Sequence, residues 1–81
     1  MDLNATHVTV LELIAEIAPE ADLASIDADA DLRRAIDLDS LDFQNLVESV
    51  ARVTAVEIPE TDYPQVRTLR GLTNYVAAHT R

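Results

Sequence analysis

One glycine, Gly71, stands in a chain of 81 residues, and that scarcity constrains the fold more than any other feature. Tight turns and hairpins draw on glycine for positive φ, so a sheet-rich fold is argued against, as is a glycine-rich phosphate loop. Helices need no such residue. The length makes one small domain, which buries roughly 60% of the surface of its unfolded chain and leaves little room for a deep catalytic cleft. Hydrophobic residues make up 48%, enough for a core. With only Phe43, Tyr63 and Tyr75 aromatic, that core must come from Leu, Val, Ile and Ala.

The apolar spacing predicts an all-α fold. From about Asn4 to Ala18, Leu3, His7, Val10, Leu11, Ile14, Ile17 and Ala18 recur at three- and four-residue steps and mark one helical stripe. Asn4 and Thr6 are candidate caps, and Pro19 ends the helix because the residue before a proline avoids α geometry. Residues 19–39 hold seven of the fifteen acids, yet keep supplying Leu23, Ile26, Leu32, Ile36 and Leu38. That pattern predicts a long ordered loop, with a helical turn near Leu32, rather than a solvated linker. A second helix starts at Ser40 behind the cap Asp39, with Asp42 complementing its dipole. Its inward stripe is Phe43, Leu46, Val47, Val50 and Thr54, and Ile58-Pro59 follows its end. In ETDYPQVR, Asp62 as cap and Pro64 as an early helical residue predict one or two turns. Thr68 caps a last helix that turns Leu69, Leu72, Val76 and Ala77 inward. The expectation is a small four-helix bundle of three principal helices and a short one, spanning residues 1–81.

Charge excludes several functions. Fifteen acids against six arginines and no lysine give a net charge of −9, which opposes nucleic-acid phosphates and anionic membranes and favours basic partners. Without cysteine there is no thiolate nucleophile and no cysteine-ligated zinc. No run approaches the roughly 20 apolar residues of a membrane helix, and the N-terminal stretch lacks the pattern of a signal peptide. A cytoplasmic monomer is expected. Asp27, Asp29 and Asp31 have the spacing of a calcium loop, but Leu32 and Leu38 stand where its glycine and glutamate belong, so no metal site is expected. Ser40 lacks the flanking glycines of a nucleophile elbow, and His7 and His79 lie near opposite ends of the chain. A small serine hydrolase would need one of them to reach Ser40.

The constellation Leu38-Asp39-Ser40-Leu41-Asp42 puts a serine at the first position of an amphipathic helix, after a long acidic loop. A phosphoryl group esterified there would meet outward-pointing N–H groups. As chemistry alone, a serine beside an Asp cap is commonplace. In this length, charge and helix order, the chain resembles an acyl carrier protein over nearly its whole span. Asp39-Ser40-Leu41 matches the attachment motif, Leu32 and Ile36 match loop aliphatics, and Glu57-Ile58-Pro59 matches the signature after the second helix. Tyr75 lies at its usual place, at the spacing of the bacterial fatty-acid type.

The resemblance implies a non-catalytic carrier. Ser40 would accept 4′-phosphopantetheine from coenzyme A by a phosphopantetheinyl transferase, with magnesium at the enzyme's site, and acyl intermediates would ride on the arm as thioesters. Asp39 would assist transferase recognition and Leu41 would be an apolar contact for partner enzymes. Asp42 and Glu48 would face basic docking surfaces of acyl-loading and acyl-transferring enzymes, assisting association rate more than tight binding. Phe43, Leu46, Val47, Ile58, Val66 and Leu69 are candidates to line an acyl cleft, their alternative role being plain core. Two departures stand out. Asp37 occupies a position where the family usually has glycine, and Ala51, Arg52 and Val53 replace the acidic end of the recognition helix. Arg52 places a cation there, which points to a specialised lipid or polyketide-type pathway as much as to fatty-acid synthesis. The competing expectation is an acidic helical assembly protein that works unmodified on a basic partner. Ser40 separates the two, since scaffolding needs no hydroxyl there.

Overall fold

A computed structural model describes residues 2–80. Among them the chain is all-helical, with no strand and one isolated bridge between Asp31 and Thr68. Helix α1 spans Leu3–Ile17, the one-turn helix α2 Leu32–Ala35, α3 Ser40–Thr54 and α4 Leu69–His79. Two 3-10 stretches, Leu23–Ser25 and Glu60–Val66, complete the element order.

Helix α1 packs on α4 and α3, and the Glu60–Val66 stretch packs on α4. One continuous core results, with Val10, Ile14, Leu32, Leu46, Val50, Leu72 and Val76 at 0% exposure. The buried face of α1 is rotated from the expected stripe. Thr6 and Leu13 join Val10 and Ile14 inside, whereas Leu3 is 53% exposed and His7 half-buried. Thr6 tolerates burial because its Oγ1 donates to the carbonyl of Asp2 at 2.8 Å. The cap of α1 is therefore neither Asn4 nor Thr6 but Asp2, whose carboxylate accepts from the Ala5 N–H at 2.7 Å. In α3 the expected stripe is inward: Phe43, Leu46, Val47 and Val50 are buried and Thr54 is half-buried. In α4, Thr73 and Tyr75 are buried beside Leu69, Leu72 and Val76, while Ala77 is half-buried.

The long connection between α1 and α3 carries more structure than a loop. The helical turn expected near Leu32 is present as α2, after a 3-10 turn, and is capped by Asp31, whose Oδ1 accepts from the Arg33 N–H at 2.9 Å. The Leu38 N–H donates back to the Arg33 carbonyl at 2.9 Å, with Asp37 between them at φ 55°. This six-to-one bond around a left-handed residue is a Schellman ending, and explains why a glycine suits that position. The acidic run is sewn to the start of α4. The Arg70 N–H donates to the Ala28 carbonyl, the Leu32 N–H to the Arg67 carbonyl, and the Arg70 guanidinium holds the Asp29 carboxylate at 2.6 Å.

The ETDYPQVR unit folds as a 3-10 helix, and Asp62 does not cap it. Pro59 occupies the N-cap, and the Asp62 carboxylate instead accepts from the Tyr75 hydroxyl at 2.6 Å. That bond ties the segment to α4. Gly71 lies where α4 meets the same segment: a Cβ there would come 2.3 Å from the Gln65 carbonyl oxygen.

Candidate functional site

Ser40 is the first residue of α3 and is exposed. Three local bonds fix it. The Asp39 Oδ1 accepts from the Asp42 N–H at 2.8 Å, and the first helical bond runs from the Phe43 N–H to the Asp39 carbonyl at 3.0 Å. The Arg33 Nη2 donates to the Ser40 Oγ at 3.0 Å. Oγ is thus an acceptor, and among the described residues its own proton has no acceptor. The N–H groups of Ser40 and Leu41 also lack a partner there, as the first turn of a helix dictates. An exposed hydroxyl beside open N–H donors and a guanidinium suits esterification by an anionic phosphoryl group.

The other serines lack these features. The Ser25 hydroxyl donates to its neighbour Asp22 at 2.7 Å, and Ser49 lies half-buried in the middle of α3.

Of the expected recognition residues, Leu41, Glu48 and Arg52 share one exposed face of α3, together with Gln44 and Asn45. Leu41 is 64% exposed, a large apolar side chain in water beside the site serine. Asp42 turns away from that face. It is half-buried and lines a concavity of about 760 Å³ with Ile17, Ile26, Ile36 and Leu38. Glu48 accepts from the Gln44 amide at 3.2 Å and makes no ion pair with Arg52; Asp29–Arg70 is the one ion pair among the described residues.

Phe43, Leu46, Val47, Ile58, Val66 and Leu69 are all buried within the core. The half-buried Tyr63 packs edge-on against Phe43, with ring centroids 5.8 Å apart. Of the six, Leu69 alone lines either of two surface concavities, a smaller one of about 270 Å³ that also includes Leu3, His7 and Thr73. Neither imidazole bonds Ser40. His79 stacks on Tyr75 at 4.1 Å, with its Nδ1 2.7 Å from the Tyr75 carbonyl oxygen. The three acids of the calcium-like spacing have separate duties: Asp27 accepts from the Asp29 N–H, Asp29 pairs with Arg70, and Asp31 caps α2. The Arg70 guanidinium holds the Asp29 carboxyl below its ordinary range, by hydrogen bond first.

The residue that sequence reasoning missed is Arg33. Its signal was faint: an arginine two places after an Asp cap, seven before the serine, reaching it only because α2 folds back.

No curated protein matches this chain. Residues 8–76 match the family described as phosphopantetheine attachment site, a span that takes in α2, all of α3 and most of α4. Proteins of this family are non-catalytic carriers bearing a covalent 4′-phosphopantetheine, modified by a phosphopantetheinyl transferase and visited by acyl-handling enzymes. With an exposed serine at a helix start inside a match that covers most of its length, the chain belongs to the phosphopantetheine-attachment family.

Proposed function

We propose that Ser40 is the attachment residue and that the protein is a discrete acyl carrier. The observation that carries this is the Ser40 hydroxyl: exposed, at the first position of α3, with its proton uncommitted and Arg33 on its oxygen. In the loading step Ser40 Oγ bonds to the phosphorus of coenzyme A that bears the pantetheine. The bond from that phosphorus to the adenosine bisphosphate leaving group breaks, and the serine proton passes to the transferase. The arm supplies the thiol that a cysteine-free chain lacks, on which acyl groups are held as thioesters. The chain's own residues position the serine and present α3 to partners.

The cargo belongs to fatty-acid synthesis or to a specialised lipid or polyketide-type pathway. The exposed face of Leu41, Glu48 and Arg52 supports the specialised branch, because a cation near the end of α3 weakens the attraction of a basic docking surface. The family match favours the carrier over the unmodified interaction protein.

Intact mass before and after incubation with coenzyme A and a promiscuous transferase tests the assignment. The wild type and Ser25→Ala should gain one phosphopantetheine and Ser40→Ala none. Ser40→Ala should stay folded, within about 0.5 kcal/mol of the wild type, because Asp39 carries the cap. Modification of Ser40→Ala would place the arm elsewhere.

A further inference from the structure

Arg33 is the cation that touches the Ser40 hydroxyl, and it is held there by its backbone. Its N–H is bound by the Asp31 carboxylate and its carbonyl by the Leu38 N–H, both at 2.9 Å. The guanidinium therefore springs from a fixed turn, although the side chain itself is exposed. Around Ser40 the charge is otherwise negative, with Asp37, Asp39 and Asp42 within three residues of it. Esterifying Oγ as a phosphodiester adds another anion to this neighbourhood. Its non-bridging oxygens lie two bonds from Oγ, the atom that Arg33 already contacts at 3.0 Å. A guanidinium offers a planar fork of donors that fits a phosphate oxygen pair, where an ammonium offers a point charge.

We infer that Arg33 is a phosphodiester-binding residue: once Ser40 is modified, its guanidinium passes from the serine hydroxyl to the non-bridging oxygens and holds the root of the arm against α2. The inference rests on the assignment of Ser40. It makes Arg33 a positioning residue, which restricts the directions in which the arm leaves the helix. Arg34 supplies the internal control, since it carries the same charge one residue away, is exposed and makes no hydrogen bond to Ser40.

The test is phosphorus NMR on the modified wild type, Arg33→Gln, Arg34→Gln and Arg33→Lys, each also recorded in concentrated urea as its own unfolded reference. The wild-type resonance should stand away from its urea position and move toward it as salt screens the exposed pair. Arg34→Gln should behave as the wild type does. Arg33→Gln should sit at the urea position and ignore salt, and Arg33→Lys should fall between. A wild-type shift retained in Arg33→Gln, or lost equally in Arg34→Gln, would overturn the contact in favour of diffuse charge. Intact mass on the same samples separates the two levels: no modification of any variant defeats the Ser40 assignment, whereas full modification with identical spectra defeats only the role of Arg33. Should Arg33→Gln resist the transferase, Arg33→Lys decides, and its resonance at the urea position overturns the inference.

Discussion

Among the described residues other than glycine, Asp37 at φ 55° and Ala55 at φ 57° adopt left-handed backbone, and they differ in how well they bear it. Aspartate visits that region with local hydrogen-bonding help; alanine has only the clash of its Cβ. Ala55 follows the last turn of α3 and is exposed, so nothing else depends on its methyl. Ala55→Gly relieves about 1 kcal/mol of strain but loosens the unfolded chain by roughly half as much. The net gain of about 0.5 kcal/mol should raise the melting temperature by about 2–4 °C. An unchanged or lower value would mean that the strain is not there. A second residue-scale effect is the Tyr75 hydroxyl, whose pKa is pushed up to about 12, chiefly by its bond to Asp62 and then by burial and by the charges of Asp62 and Glu57. The folded state then holds this proton more tightly than the unfolded chain, whose tyrosine titrates at 10.0. The resulting stability is fully present below pH 10 and is lost as pH rises toward 12. Melting temperature should fall through that window more steeply in the wild type than in Tyr75→Phe. Tyr63, also raised, contributes to both proteins alike, so equal slopes would remove Tyr75 from the account.

At the scale of elements, the contact between α4 and the Glu60–Val66 stretch depends on the lone glycine. Its φ is ordinary, so space and not conformation is what Gly71 provides. Gly71→Ala would gain helix propensity of about 1 kcal/mol, but its methyl would meet backbone oxygen at 2.3 Å, and such overpacking costs typically 1–3 kcal/mol. Gln65 lies in the 3-10 segment that the Asp62 side chain ties to Tyr75, and its own amide donates to Asp62, which resists a shift of the segment. A net loss of about 1 kcal/mol is expected by urea unfolding, and a gain would show that the 3-10 segment moves easily. The same elements mark what the sequence made legible. Helices α1 and α3 repeat an apolar stripe over about three turns or more and α4 over about two, and Pro19, Asp39 and Thr68 punctuate them by local chemistry. Helix α2 has one turn, too short for a period, so the sequence offers only a turn near Leu32; Asp31 caps it, Leu38 closes it and the core takes Leu32. Asp62 read as a cap because Asp before Tyr-Pro suits one, until a tyrosine thirteen residues later claimed its carboxylate. On α1 the expected stripe includes Leu11 and omits Leu13; the two lie on opposite sides of Val10 and Ile14, and only packing decides that Leu13 goes inside while Leu11 is partly buried. Ser40 was legible because its setting is local. Arg33 was not, because a turn near Leu32 does not by itself say that a side chain seven residues before Ser40 reaches its Oγ.

For the molecule as a whole, the relevant quantity is a net charge of −9 spread over a body of 32 × 25 × 20 Å. Compensation is sparse, since Asp29–Arg70 is the one ion pair among the described residues and Arg33 spends its guanidinium on a hydroxyl. The acids of residues 19–39 therefore repel one another and those of α3 across distances comparable with the molecule. At about 0.01 M salt the screening length is about 30 Å and every acid feels every other; at 0.15 M it is about 8 Å and only neighbours interact. Most of the relief from self-repulsion should thus arrive between those two concentrations, as a rise of several degrees in melting temperature that levels off beyond them. Divalent cations at equal ionic strength should do slightly better, because they collect among clustered carboxylates. Calcium and magnesium should act alike, since the carboxylates of Asp27, Asp29 and Asp31 are each engaged in a separate bond. A melting temperature indifferent to salt would mean that the acids are compensated one by one, against the sparse pairing seen here. A clear advantage of calcium over magnesium would mean that the three carboxylates leave their partners to form a site. Arg70→Gln discriminates further: it removes the one pair among the described residues and adds to the net negative charge, so it should steepen the dependence of melting temperature on salt.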